Sequence, residues 1–95
     1  MVDWQVGLST GCFYRQSIFD VLQVVKDGGF NVLELSSYSA HLDYRNPDLV
    51  RRVAGRIEEL GMEVFSLHAP FGRHIDISAL DENTRRRSID ELVAA

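Results

Sequence analysis

The chain has 95 residues, 45% of them hydrophobic and 25% charged, and carries a formal charge of −4 at pH 7. That composition excludes collagen-like, disordered and membrane-embedded classes and leaves room for one globular domain. The acidic balance argues against general attraction to nucleic acid or an anionic membrane, because either needs a basic face to meet phosphate. Cys12 stands alone, so no internal disulfide is expected. The start MVDWQVGLST lacks the basic stretch and long apolar run of a secretion signal, which makes a reducing cytoplasm the expected compartment.

Residues 5–10 (QVGLST) run from apolar to polar and stop at Gly11, which predicts a first strand, β1, emptying into a loop. Helical spacing follows. Ser17 supplies a capping hydroxyl with Asp20 three residues on, and Ile18, Val21, Leu22 and Val25 recur on one face before Gly28 and Gly29. This predicts helix α1 over residues 18–28. Residues 31–36 (NVLELS) predict strand β2, followed by the polar loop SYSAHLDYR. Asn46-Pro47 is a capping residue followed by a proline suited to the first helical turn. Leu49, Val50, Val53, Ile57 and Leu60 then repeat at three and four residues up to Gly61, predicting α2 over residues 47–60. Residues 63–68 (EVFSLH) predict β3. A loop through Pro70, Gly72 and Ser78 leads to α3, residues 82–95, which carries Ile89, Leu92 and Val93.

GFNVLELS at 29–36 aligns with GMEVFSLH at 61–68, a period of 32 residues. Strands and helices alternating at that pitch imply right-handed strand–helix–strand units and a parallel sheet. Side chains on a strand alternate between faces. Leu33 and Leu35, and likewise Phe65 and Leu67, are therefore expected to meet the helices, as are Val6 and Leu8. The opposite face receives Gly7, Ser9, Val32, Glu34, Ser36, Val64, Ser66 and His68, its polar members toward the carboxyl ends of the strands. Barrel enzymes place their chemistry at those ends.

The segments SLHAPF at 66–71, IDIS at 75–78 and RRRS at 85–88, with GLSTGCF at 7–13 and GFNVLEL at 29–35, resemble the first three units of the xylose-isomerase-like TIM barrels. That superfamily holds sugar and sugar-phosphate isomerases and epimerases, inosose dehydratases and apurinic-site endonucleases. The resemblance covers essentially the whole chain. It implies an α/β fold made of the N-terminal three βα units of a (β/α)8 TIM barrel, with parallel strands and an incomplete barrel, since a full one takes eight strands and about 250 residues. It implies a metal-dependent sugar or sugar-phosphate isomerase or epimerase whose N-terminal active-site wall is this chain. A divalent metal (Mn, Mg, Co or Zn) would belong to the full-length protein, with none necessarily bound by this chain alone. Expected partners are a small sugar or polyol and either the remaining barrel half or another copy of the chain, with neither membrane nor nucleic acid. Two other readings stand beside it: an apurinic-site endonuclease-like barrel, and a non-catalytic assembly unit.

His68, at the tip of β3, is expected to serve as a metal ligand or a substrate contact, against the plainer reading of a histidine satisfied by a carbonyl. Glu34 points to the barrel side, where an ionised carboxylate needs a cation, a metal or hydrogen-bond donors. A catalytic role and a structural ion pair both remain open for it. Thr10, Cys12, Ser36, Tyr38, Phe71 and Arg73 lie at or just past strand ends, where loops would form a substrate mouth. Tyr38 and Phe71 stand out because aromatic faces bind sugar rings. Cys12 has no basic partner in view to activate it as a nucleophile. His41 and His74 are expected to be solvated loop residues, and Arg85–Arg87 a solvated helix face.

Overall fold

The computed structural model describes residues 4–95. Three parallel strands lie side by side in chain order: β1 (Leu8–Ser9), β2 (Val32–Ser36) and β3 (Glu63–His68). Helix α1 (Ile18–Asp27) links the first two, α2 (Pro47–Glu59) the second pair, and α3 (Glu82–Ala94) follows β3. The chain is thus an α/β structure with an open, all-parallel sheet. No helix among the described residues is long and apolar enough to cross a membrane.

Local chemistry sets the element ends. Ser17 Oγ accepts from the Phe19 amide at 3.4 Å, and Asn46 Oδ1 accepts from the Leu49 amide at 3.1 Å with Pro47 opening the helix behind it. Both side chains occupy amide donors that the first helical turn leaves unpaired. After α2 the chain reverses through Gly61, whose φ of 66° is the left-handed conformation glycine adopts without strain. The 32-residue repeat therefore corresponds to two real joints.

The first strand is shorter than residues 5–10. Beyond Ser9 the chain curls into a 3-10 turn, Thr10–Phe13, begun by the Gly11 amide donating to Ser9 Oγ at 3.2 Å. A Cβ on Gly7 would come within 3.0 Å of the Val32 carbonyl oxygen, so glycine is what lets β1 approach β2 there. Thr10, expected at the mouth, is instead fully buried. Its Oγ1 accepts from the Ser36 amide at 3.0 Å, replacing the carbonyl that β1 would have offered had it continued.

The core lies between the helices and the outer side of β1 and β2. Ile18, Val21, Leu22 and Val25 of α1 meet Leu33, Leu42, Val53, Ile57 and Met62, with Leu8 and Leu35 packed against them. No described residue covers the other side of the sheet. Toward β3 the outer layer is also incomplete: a hollow of about 450 Å³ remains among Leu35, Val53, Ile57, Met62, Val64 and Leu67.

Parity holds along β2 and breaks once in β3. Leu33 pairs with Val64, yet Glu34 pairs with Ser66, so Phe65 is an extra, unpaired residue. Such a bulge moves every side chain before it to the other face. Val64, expected on the barrel side, accordingly lines the helix-side hollow with Leu67. Phe65, expected under the helices, is 83% exposed and lies beside Glu34 and Ser66.

Two further expectations are corrected. His41 is 3% exposed rather than solvated. Its Nδ1 donates to the Gln16 carbonyl at 2.6 Å while its own carbonyl accepts from the Ile18 amide at 3.0 Å, so the loop after β2 clamps the entry to α1. A carbonyl can only accept, which puts the proton on Nδ1. Nε2 then has no partner among the described residues. Helix α3, for its part, leaves Ile89 and Val93 exposed. It is held by polar ties: Ser88 Oγ accepts from the Asp76 amide at 2.7 Å, and Glu91 accepts from the Tyr44 hydroxyl and the Arg45 guanidinium.

Candidate functional site

At the carboxyl ends of the three strands lies a hollow of about 650 Å³ lined by Ser9, Gly11, Cys12, Tyr14, Ser36, Tyr38, His68 and Phe71. Five of the expected residues meet here: Cys12, Ser36, Tyr38, His68 and Phe71. Each arrives by a different local device. The 3-10 turn after β1 carries Cys12 and ends beside Tyr14, β2 ends on Ser36, and β3 ends on His68.

The rings are arranged in two pairs. Tyr14 and Tyr38 stand edge to face with centroids 5.3 Å apart, and His68 and Phe71 are tilted at 5.0 Å. Such geometries suit the quadrupoles of aromatic rings and fix the walls of the hollow relative to one another. Arg15 donates through Nε to the Tyr14 hydroxyl at 3.2 Å, which holds that ring from behind. His68 Nδ1 donates to the Ala69 carbonyl at 2.9 Å, so the proton sits on Nδ1 and Nε2 is left as the acceptor.

The remaining three expected residues lie elsewhere. Thr10 is buried behind the hollow, as described. Arg73 is exposed on the loop after β3 and does not line this hollow. Glu34 lines a separate hollow of about 400 Å³ lower on the bare sheet face, with Gln5, Gly7, Val32, Phe65 and Ser66. Ser66 Oγ donates to its Oε2 at 2.9 Å, and no ion pair involves it among the described residues. Glu34 and His68 therefore share a sheet face and not a cavity.

Tyr14 and Ser9 are absent from the expected set. Ser9 was legible from inward parity alone, whereas Tyr14 reaches the hollow only because the 3-10 turn swings the chain back across the strand ends.

Acid–base character is concentrated away from the hollow. Hydrogen bonds from Arg45 and then Tyr44 hold the Glu91 carboxyl below its ordinary value, while desolvation, then Glu91 itself, raises the Tyr44 phenol. Asp76 and Asp81 are lowered chiefly by the hydroxyls of Ser78 and Thr84. These groups organise the loop before α3 and its N-terminus.

Among the described residues no three His, Cys, Asp or Glu side chains gather closely enough to share a metal ion. His68 Nε2 is the one free nitrogen at the mouth, and the Glu34 carboxylate belongs to the other hollow. The described residues do not by themselves form a metal centre.

Fold and hollow define the class of the chain as an open parallel α/β sheet with an aromatic, hydroxyl-bearing depression at its strand ends. No protein-family model, curated protein or solved structure matches it.

Proposed function

We propose that this chain forms the sheet wall of a sugar-binding pocket in an isomerase or epimerase of the xylose-isomerase-like barrel type. The observation that carries the reading is the chemistry of the upper hollow. Its lining joins three aromatic carbocycles to the hydroxyls of Ser9, Ser36, Tyr14 and Tyr38, and among the described residues it contains no Lys, Arg, Asp or Glu. A pyranose or furanose offers a matching surface, with apolar C–H faces for the rings and hydroxyls for the polar groups. A lining without cations favours a neutral sugar or polyol over a sugar phosphate, and it disfavours abasic DNA, whose phosphates call for Lys or Arg.

In this reading His68 Nε2 accepts a hydrogen bond or a proton from a substrate hydroxyl, with Nδ1 anchored on the Ala69 carbonyl. Glu34 acts from below on the geometry of the face, with Ser66 as its donor. His68 would be the residue here to hold a divalent ion of the kind the resemblance implies, in place of that substrate contact, and such an ion would supply polarisation of the sugar carbonyl.

Saturation-transfer NMR with neutral ketoses and aldoses tests the proposal. Transfer from the Tyr14, Tyr38 and Phe71 rings is expected, should fall at least fivefold in Tyr38→Ala, and should be no stronger for the matching sugar phosphates. His68→Ala, which removes the acceptor for a substrate hydroxyl, should weaken the transfer as well. Absence of transfer from every neutral sugar would sink the reading and leave a non-catalytic unit.

A further inference from the structure

The molecule exposes more surface than its size calls for. A compact monomer of 10.8 kDa exposes about 5,500 Å², whereas this chain exposes 6905 Å². The surplus is roughly 1,400 Å², against about 800 Å² that each partner gives to a stable interface. Shape agrees. The molecule is a slab of 47 × 37 × 20 Å with a radius of gyration of 15.1 Å, where about 12 Å is expected for 95 residues. The described residues make one layer of helices and one of strands, and none of them lies on the other side, although parallel sheets are almost always covered on both faces.

The bare face carries a projection and a recess together. Phe65, pushed out by the bulge, is 83% exposed, and beside it is the 400 Å³ hollow floored by Gly7 and Val32. A knob and a hole on one surface are what a two-fold interface requires, because each copy then presents the same patch to the other. We propose that two copies of this chain pack their bare sheet faces together about a two-fold axis, with Phe65 of each copy seated in the other's lower hollow. The same contact continues upward to Phe71, which is 76% exposed. It gives the upper hollow the wall that a single copy lacks. The dimer covers the face that a closed barrel would give to its remaining strands, so it stands in place of that closure rather than beside it, and its test reads mass rather than sugar turnover.

Glu34 supplies a control of opposite sign. It is the one ionisable side chain lining the lower hollow, and a partner's sheet would strip water from it with Ser66 as its one hydrogen-bond donor. Removing its charge should tighten the dimer. A misfolded variant would not do so.

Sedimentation of the 95-residue chain between about 1 and 200 μM should give a monomer–dimer equilibrium with its midpoint in the micromolar range. Phe65→Arg should weaken it at least tenfold, as expected for a central aromatic anchor, with an unchanged circular dichroism spectrum. Glu34→Gln should strengthen it severalfold. Leu80→Arg, at a residue 99% exposed that lines neither the lower nor the upper hollow, should leave it unmoved. A monomer throughout the range, a dimer indifferent to Phe65→Arg, or open-ended species growing with concentration would each overturn the proposal.

Discussion

Thr10→Val separates a structural threonine from a substrate-binding one. The two side chains have nearly the same shape, so the substitution removes only the oxygen that accepts from the Ser36 amide at 3.0 Å. Thr10 is fully buried, and valine there sets a methyl group against the half-buried Ser36 amide where its acceptor was. A buried donor without a partner costs about 1–3 kcal/mol, so a loss of about 2 kcal/mol is expected. For a domain of this size that corresponds to a fall in Tm of roughly 8–16 °C, or a urea midpoint lower by about 1–2 M. Thr10→Ser keeps the oxygen and loses one methyl group, a cost of about 1 kcal/mol. Valine should therefore be the worse of the two, and hydrogen exchange at the Ser36 amide should accelerate in Thr10→Val alone. A serine variant as unstable as the valine variant, or a valine variant within 0.5 kcal/mol of the parent (roughly the scatter of surface substitutions), would refute the assignment.

The remaining predictions concern the loop clamp and the acid limb of stability. His41→Ala removes a buried ring and its 2.6 Å bond to the Gln16 carbonyl, and should cost about 2–4 kcal/mol in urea unfolding. His74→Ala, at an exposed loop residue, should be nearly neutral in the same assay. Asp76, Asp81 and Glu91 all have folded pKa values below their ordinary 3.8, 3.8 and 4.5. The unfolded chain thus takes up protons first on acidification. Their stabilisation is complete above about pH 5 and is lost as pH falls through the lower folded values. Asp81→Asn keeps a capping oxygen and should flatten that acid limb in a pH series of urea midpoints. Tyr44 has the opposite sign: its raised phenol favours the fold below pH 10 and ceases to as pH climbs through the raised value.

Much of the framework could be read from residue order because local rules and global fold agree there. Ser17, Asn46-Pro47 and Gly61 mark real boundaries, and the apolar residues of α1 bury the face their spacing predicts. The strand faces were legible along β2 and at the end of β3. They failed at Val6, which lies ahead of the shortened β1 and is 66% exposed, and at Val64 and Phe65, since alternation counts residues while pairing counts hydrogen bonds, and a bulge separates the two. Thr10 and His41 failed for a related reason. Polar residues near strand ends and in loops are usually wet, but here backbone donors and acceptors left over by a short strand and a helix start needed buried partners. Tyr14 required knowledge of the turn's direction, which no single residue encodes.

The way α3 is fastened has a consequence for how the molecule comes apart. A helix secured by a carboxylate, a guanidinium, a phenol and one serine responds to ionic strength and acid, whereas the greasy seam between α1, α2 and the sheet barely notices either. Salt, or acid strong enough to protonate Glu91 below its ordinary 4.5, should accordingly unlatch the C-terminal third while the rest stays folded, so that the chain melts in two stages with the break between β3 and α3.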